Sequence, residues 1–433
     1  MCPRLVSEAK AARSSFPIRS SQATTNMFLL RHSTAVIDAS MLTRRWKVPH
    51  GSATKSTWSN KSCNQIRTPV WSRRLSDGLD PPASKTIFSG IQPTGVPHLG
   101  NYLGALQRWV QLQNEATPDT TLIYSLVDLH AITIRQEPEQ LRKWKKDSLA
   151  MLLAVGLDPE RSVIFHQSDV RAHSELMWIL SCQASTGYLS RMTQWKDKTS
   201  NERDNSERLK LGLFSYPVLQ AADVLVHGAT HVPVGHDQAQ HLEFAREVAI
   251  GFNHTFGSRT LVVPETLISP AKRIMSLAKP TSKMSKSDQN EKSRIMLTDT
   301  EDMIRSKVKA AVTDSETSSI TYEPERRPGV SNLVDILFHC LPHAGYEDQA
   351  ALCRDMAGVS FKALKDTVVR AVEDTIGPIR ERYEDVRHDE QMLDHVAMRG
   401  AEKARQSAAV TIDVVKHAVG LSLTTSSPYP HIR

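Results

Sequence analysis

Three segments of the chain place small, hydroxyl and basic side chains at spacings suited to phosphate chemistry. The first spans 89–101, where a Gln-Pro-Thr-Gly turn precedes the run Pro-His-Leu-Gly-Asn at 97–101. Small residues let a phosphate approach the backbone, and the start of a following helix supplies N–H groups. The spacing is not GxGxxG, and Asn101 stands where a Walker loop needs lysine. A dehydrogenase and a P-loop ATPase are therefore disfavoured.

The second segment supplies positive charge. Residues 283–287 read Lys-Met-Ser-Lys-Ser, so two lysines alternate with small hydroxyl residues. The two lysines could bind the pyrophosphate that leaves during a reaction of a nucleoside triphosphate. A solvated linker would have a similar composition.

The third segment, Gly-His-Asp-Gln at 235–238, follows a predicted strand and opens a predicted helix. Backbone N–H groups in the first turn of a helix can meet a ribose or an anion. On its own, Asp237 is better explained as a helix cap.

The apolar pattern predicts a scaffold of alternating strands and helices for these segments. Predicted strands lie at 86–91, 121–127, 162–166 and 232–234. Helical periodicity separates them, which indicates an α/β fold with a doubly wound, Rossmann-like parallel sheet. After about residue 298 no strand pattern follows, and helical stretches are predicted to begin at 301, 332, 361, 374 and 401. We therefore expect an α/β domain at 84–280 and an α-helical domain at 281–433.

The positive charge is concentrated at the front of the chain. The 433 residues carry a net charge of +7, yet residues 1–76 hold 13 Lys and Arg against two acidic residues. The rest holds 41 basic and 45 acidic residues. An Arg- and Ser-rich, acid-poor N-terminus is typical of a mitochondrial transit peptide, which predicts a transit peptide and linker at 1–83. The alternatives are a tail without fixed structure and an arm that binds nucleic acid.

The apolar runs and the cysteines exclude further classes of protein. No run of about 18 apolar residues occurs, so no transmembrane helix is expected. The five cysteines form no CxxC pair, which argues against a zinc ribbon or a disulfide scaffold and favours a reducing compartment.

Together, and in this order, the three segments resemble the signature loops of class I aminoacyl-tRNA synthetases. Further matches narrow the resemblance to the tryptophanyl-tRNA synthetase family of the bacterial and organellar kind, over about 85–421. The matching segments are 87–104, 127–133, 191–194, 216–223, 232–241, 273–277, 283–288, 311–315 and 328–333. The leader has no counterpart in bacterial relatives.

The resemblance implies an enzyme that joins tryptophan to ATP, releases pyrophosphate and passes the acyl group to the terminal adenosine of tRNA(Trp). It implies ATP with bound Mg²⁺, no metal held by the protein alone, a homodimer and no membrane. The helical region at 281–433 would carry the "KMSKS" loop and the anticodon-binding domain. With the leader, these expectations place the protein in the mitochondrial matrix, in mitochondrial translation.

The resemblance also assigns residues to the phosphate chemistry. Those implied in catalysis are His98, Asn101, Lys283 and Lys286. Those implied in ATP binding are Gln92, Pro93, Thr94, Gly100, Asn101, Gly235, His236, Asp237, Ile274, Lys283, Met284, Ser285, Lys286 and Ser287. His236 stands where Glu is common in the family, which puts its side-chain role in doubt.

For tryptophan, the resemblance implies that Asp223 accepts the indole N–H. Asp223 lies in an apolar segment, and a buried carboxylate is costly unless it is paired, which favours a ligand role over a helix cap or a core ion pair. The other implied tryptophan-binding residues are Tyr216, Gln238, Phe88, His130, Val232 and Val234. Gln220 stands where many bacterial relatives have Met, so a more polar pocket is expected there.

Three other functions remain open at this point. Tyrosyl-tRNA synthetase shares the fold and the loops but would need partners for a phenol hydroxyl. Small-molecule adenylyltransferases with an H-x-G-H loop are usually shorter and lack a long helical extension. An RNA-binding or splicing factor on the same fold would need no intact catalytic loops.

Overall fold

The computed structural model describes residues 84–193, 195–196, 210–235, 238–257, 260–268, 273–286, 288–316, 319–341 and 345–423. The predicted leader at 1–83 lies outside the described residues. Three of the predicted ATP-binding residues, His236, Asp237 and Ser287, lie outside them as well.

The first half of the described chain forms a parallel sheet. Its strands are β1 (Thr86–Ile91), β2 (Thr121–Leu126), β3 (Val163–His166), β4 (His231–Val234) and β5 (Glu265–Ile268). They lie in the order β3-β2-β1-β4-β5, and every neighbouring pair is parallel. The chain order reverses between β1 and β4, where doubly wound folds bind ligands at the carboxyl edge. The predicted Rossmann-like fold is confirmed.

Four strands match the sequence predictions to within one residue at each end. β1 and β2 form because short apolar runs there are bounded by Gly and Pro or by polar turns, and their central residues are buried. β5 was not predicted, since its four residues include Glu265 and lack a long apolar run.

Helices connect the strands and cover the sheet. They are α1 (Leu99–Asn101), a π-helical turn (Tyr102–Leu106), α2 (Gln107–Glu115), α3 (Asp128–Ala131), α4 (Pro138–Ala154), α5 (Ala172–Ser181), α6 (Thr186–Leu189), α7 (Leu211–Leu225) and α8 (Ala239–Phe256). The inward face predicted for the helix after β4 is confirmed, because Leu242, Ala245, Val248 and Ala249 on α8 are all buried.

The second half of the described chain is helical, as predicted. Its helices are α9 (Glu301–Ala310), α10 (Pro328–Cys340), α11 (Gln349–Asp355), α12 (Phe361–Arg387) and α13 (Glu390–Ala418). The predicted starts at 301 and 361 are confirmed, but those at 332, 374 and 401 are wrong and lie inside longer helices. α12 continues past residue 374 because its buried apolar positions, from Val368 to Tyr383, keep helical spacing across Pro378.

The last helix returns to the sheet. At Gly400 of α13, a Cβ atom would lie 1.7 Å from the carbonyl oxygen of Ile164 in β3, so only glycine permits this approach. Buried residues from both halves therefore share a core. Among the described residues, none of the helices combines the length and apolar character needed to cross a membrane.

Candidate active site

The loop that leaves β1 enters α1 through a reciprocal cap. His98 is the N-cap residue: its Nδ1 accepts from the backbone N–H of Asn101 at 3.2 Å, and the Asn101 side-chain oxygen accepts from the His98 N–H at 3.2 Å. Between them, a Cβ on Gly100 would lie 3.1 Å from the His98 ring and 3.4 Å from Ile274. A side chain at this position would therefore crowd the His98 ring, and the cap holds both polar residues at the helix start.

His98 is neutral at physiological pH. Burial lowers the pKa of His98 to about 4, and the positive charges of Lys286, Lys283 and Arg294 add to the effect. Since Nδ1 accepts a hydrogen bond, the proton of the neutral ring is on Nε2. His98 is thus an uncharged N–H donor beside two lysines.

Residues 283–286 come back to the first loop. The Lys286 ammonium donates to the Gly95 carbonyl oxygen at 2.9 Å and to the Thr94 hydroxyl at 3.4 Å. Burial lowers the pKa of Lys286 to about 8, because desolvation disfavours the cation. Met284 is buried in the core, and its N–H donates to the Ile274 carbonyl at 3.1 Å.

These loops line a cavity of 870 Å³ at the carboxyl edge of β1 and β4. Predicted residues that line it are His98, Gly100, Asn101, Gly235, Ile274 and Lys283. The Lys286 ammonium and the Thr94 hydroxyl form their hydrogen bond beside this cavity. Of the other predicted residues, Pro93 is buried and Ser285 is half-buried. The structure thus brings the first and second segments together with Gly235, the first residue of the third.

Asn332 of α10 was not predicted to serve this cavity. Its amide accepts from the Met275 N–H at 2.9 Å and donates to the Met275 carbonyl at 3.0 Å. The helical region therefore fixes the backbone on one wall of the cavity. An Asn inside a helical stretch carries no local sequence signal for such a contact.

A second cavity, of 320 Å³, lies beside β1 and β4. Every residue predicted to bind tryptophan lines it, and Gln92 and Gln220 line it as well. These predicted residues are Phe88, His130, Tyr216, Asp223, Val232, Val234 and Gln238. Gln220 donates to the Gln238 side-chain oxygen at 3.2 Å, which confirms a polar side chain at this point of the wall.

One carboxylate dominates the chemistry of the second cavity. Asp223 is 2% exposed and accepts three hydrogen bonds, from His130 Nε2 to Oδ2 at 2.8 Å, from Gln167 to Oδ1 at 2.6 Å and from His173 Nδ1 to Oδ1 at 2.7 Å. Burial alone would raise the pKa of Asp223, but the hydrogen bonds from His130 and His173 outweigh it and keep the pKa below its ordinary value. The site holds a buried, ionised acceptor in a wall of mixed polar and apolar residues.

Tyr216 lies on α7, the same helix as Asp223, and also lines this cavity. Its hydroxyl is 3.0 Å from His241 Nε2, and its ring meets His130 edge-on. Burial raises the pKa of Tyr216 to about 12, so the phenol stays protonated and can donate or accept.

Comparison with known proteins identifies the family of this chain. Residues 83–375 match the family described as tRNA synthetases class I (W and Y). The mitochondrial tryptophan–tRNA ligase of Schizosaccharomyces pombe is 43% identical over 350 residues, which are 78% of this chain and 96% of that protein. This chain belongs to the tryptophanyl-tRNA synthetases of class I.

Solved tryptophanyl-tRNA synthetases share the fold. The Mycoplasma pneumoniae structure has a TM-score of 0.71 at 32% identity and covers 78% of this chain and 98% of its own. The Campylobacter jejuni structure, a complex with ADP and tryptophan, has a TM-score of 0.64 at 30% identity and covers 77% and 99%. The predicted resemblance to tryptophanyl-tRNA synthetases is therefore confirmed.

Proposed function

We propose that this synthetase activates L-tryptophan with ATP to tryptophanyl-adenylate and pyrophosphate, and then transfers tryptophan to the 3′ end of tRNA(Trp). The observation that carries the proposal is Asp223, a buried, ionised acceptor in a partly apolar cavity that lies beside the first loop. The 43% identity with a tryptophan–tRNA ligase and the relative solved with ADP and tryptophan support it.

The hydrogen bonds of Asp223 leave one position for a ligand. A carboxylate has about four acceptor sites, two on each oxygen. His173 and Gln167 occupy Oδ1, whereas Oδ2 accepts only from His130 among the donors of the described residues. Oδ2 is therefore the atom that would accept the indole N–H, with Phe88 and Val232 as apolar wall.

The remaining polar groups of this cavity suit the amino-acid end of tryptophan. We assign the ammonium and carboxylate to Tyr216 and Gln238, which also line the cavity. The tryptophan carboxylate would then lie close to the first loop, where it attacks the α-phosphorus of ATP.

The transition state of that attack gathers negative charge on phosphate oxygens, so positioned donors and cations supply most of the catalysis. The neutral His98 offers an Nε2–H, and Lys283 and Lys286 offer charge for the leaving pyrophosphate. Asn101 acts by holding His98 in place. Among the described residues no group of three His, Cys, Asp or Glu could hold a metal ion, so Mg²⁺ is expected to arrive with ATP, held by phosphates and water.

We further propose import into the mitochondrial matrix and a homodimeric assembly. The basic, acid-poor composition of residues 1–76 and the mitochondrial relative support the location. A chain that begins at Ser84 is expected to charge tRNA in vitro but to stay outside mitochondria in cells. Entry of this shortened chain into the organelle would disprove the role of the leader.

The decisive experiment is ATP–pyrophosphate exchange with each amino acid in turn. Exchange with tryptophan alone is expected; exchange with tyrosine would favour the tyrosyl enzyme, and exchange with no amino acid would favour the RNA-binding alternative. Asp223→Ala should lower kcat/KM for tryptophan by roughly two orders of magnitude, because a charge-assisted bond of about 1.5–3 kcal/mol is lost and its donors are left unpaired.

An analogue with sulfur in place of the indole nitrogen keeps the shape and removes the donor. The unmodified synthetase should reject it, and Asp223→Ala should scarcely distinguish it from tryptophan. If Asp223→Ala still prefers tryptophan as strongly as the unmodified chain does, another group recognises the indole N–H.

A further inference from the structure

A line of buried polar side chains runs from Asp223 away from the cavity to the C-terminal helix. His173 Nδ1 lies 2.7 Å from Asp223 Oδ1, and its other nitrogen, Nε2, lies 3.3 Å from Nε2 of His227. His227 Nδ1 in turn lies 3.2 Å from the hydroxyl oxygen of Ser407 on α13. The synthetase reaction described above uses neither His227 nor Ser407.

The direction of each hydrogen bond follows from the acceptor at the start of the line. An ionised carboxylate can only accept, so His173 must donate from Nδ1. In a neutral ring Nε2 then has no proton and must accept, which requires His227 to donate from its own Nε2. Nδ1 of His227 is left as an acceptor, and the Ser407 hydroxyl donates to it. With His173 neutral, all donors therefore point toward Asp223.

The surroundings of the two histidines are buried and hold the His227 ring in place. His173 is 0% exposed and His227 is 5% exposed. Burial and the neighbouring His173 hold the pKa of His227 well below its usual range. The His227 ring stacks on Phe88 at 5.6 Å and meets Phe165 edge-on at 5.6 Å, so it cannot turn away from His173 without losing both contacts.

We propose that His173 and His227 are positioning residues for tryptophan specificity: His227 selects the His173 tautomer that donates to Asp223, and this donation saturates Oδ1 and leaves Oδ2 to the indole N–H. With the other tautomer, His173 would present a lone pair to the carboxylate. Asp223 would then turn or take up a proton, and a protonated carboxyl no longer selects for a donor. This inference rests on the proposed function and extends it to residues outside the cavity.

Paired substitutions separate the hydrogen bond from the packing. At position 227, Gln can present an N–H near the Nε2 position of the original ring, whereas Leu cannot; both remove the ring contact with Phe88. At position 173, Asn can present an N–H near the Nδ1 position, whereas Leu cannot. Ser125→Ala is the control, because Ser125 is also buried and its hydroxyl makes no hydrogen bond among the described residues.

The measurement is the ratio of kcat/KM for tryptophan to kcat/KM for the sulfur analogue in ATP–pyrophosphate exchange, with KM for ATP and the melting temperature alongside. His227→Leu and His173→Leu should lower this ratio about tenfold or more, since a bond to a charged acceptor is lost. His227→Gln, His173→Asn and Ser125→Ala should stay within about threefold of the unmodified chain, and KM for ATP should hold in all five. If a substitution only removed packing, it would lower the melting temperature without changing the ratio of the two kcat/KM values.

The role of His227 would be overturned if His227→Leu and His227→Gln gave the same ratio, whether both matched the unmodified chain or both were lowered. Where His227→Leu does not fold, the pair at position 173 and Ser407→Ala carry the test, and Ser407→Ala should lower the ratio while Ser125→Ala does not. An unmodified chain that does not discriminate between tryptophan and the analogue would instead refute the assignment of Asp223. The two failures are therefore distinct.

Discussion

The Lys286 ammonium is buried, which disfavours its positive charge in the absence of a bound phosphate group. Burial lowers its pKa from 10.5 to about 8, which corresponds to about 3 kcal/mol in favour of the neutral amine. Because the unfolded chain keeps the proton more tightly, the contribution of Lys286 to folding stability is lowest below pH 8 and rises between pH 8 and 10.5. A bound triphosphate supplies the opposite charge and should restore the pKa.

Binding of ATP should therefore be coupled to proton uptake. At pH 8 about half of the free synthetase carries a neutral Lys286, so ATP binding should take up about 0.5 proton. The charged fraction of the free chain falls about tenfold between pH 7 and 9, and the affinity for ATP should fall by about the same factor. His98 does not contribute in this range, because its pKa is about 4.

Calorimetric titration of ATP, without tryptophan and in buffers of different ionisation enthalpy, measures the uptake directly. Lys286→Met should abolish it and make ATP affinity independent of pH between 7 and 9. The same variant should slow adenylate formation by a factor on the order of 10²–10³ while KM for tryptophan holds. Lys292→Met removes an exposed lysine nearby and should change neither property. Proton uptake that persists in Lys286→Met would refute the argument.

Two other expected outcomes test contacts that position the site. Asn332→Ala removes both hydrogen bonds to Met275 and should raise KM for ATP about tenfold at unchanged KM for tryptophan, measured by pyrophosphate exchange; a matching rise in both constants would contradict a local role. Gly400→Ala forces α13 away from the Ile164 carbonyl and should cost at least about 1–3 kcal/mol in a thermal melt. Gly251→Ala, where a Cβ meets open space on α8, should instead be neutral or slightly stabilising; equal melting temperatures for the two variants would show that α13 adapts freely.

The sequence patterns of the two predicted ATP-binding loops could be recognised because the residues of each loop are contiguous. Residues 97–101 are adjacent in sequence, and so are residues 283–286. The predicted strands indicate the edge of the sheet at which such loops lie. β5 escaped prediction because a four-residue edge strand with Glu265 has too little apolar signal. The domain boundary near residue 280 and the roles of individual site residues remain predictions.

The residues that hold Asp223 could not be predicted in this way. Gln167 follows β3, His173 lies on α5, His227 follows α7 and Ser407 lies on α13. Each is a single polar residue in its own segment, with no partner at a characteristic spacing. Ser407 reaches His227 because α13 packs back onto β3, and Gly400 at that contact reads in the sequence as an unremarkable residue inside a helix.

The two kinds of recognition in this molecule place different demands on the chain. A polyphosphate is bound by several N–H groups and cations, and one loop at the start of a helix can supply many of them at once. A buried carboxylate that must stay ionised and keep a single lone pair for its ligand needs donors that approach from several directions. Consecutive residues cannot provide such directions, since they share one backbone path. The proposed adenylate chemistry therefore uses contiguous motifs, whereas the proposed choice of amino acid depends on side chains that tertiary packing brings together around Asp223.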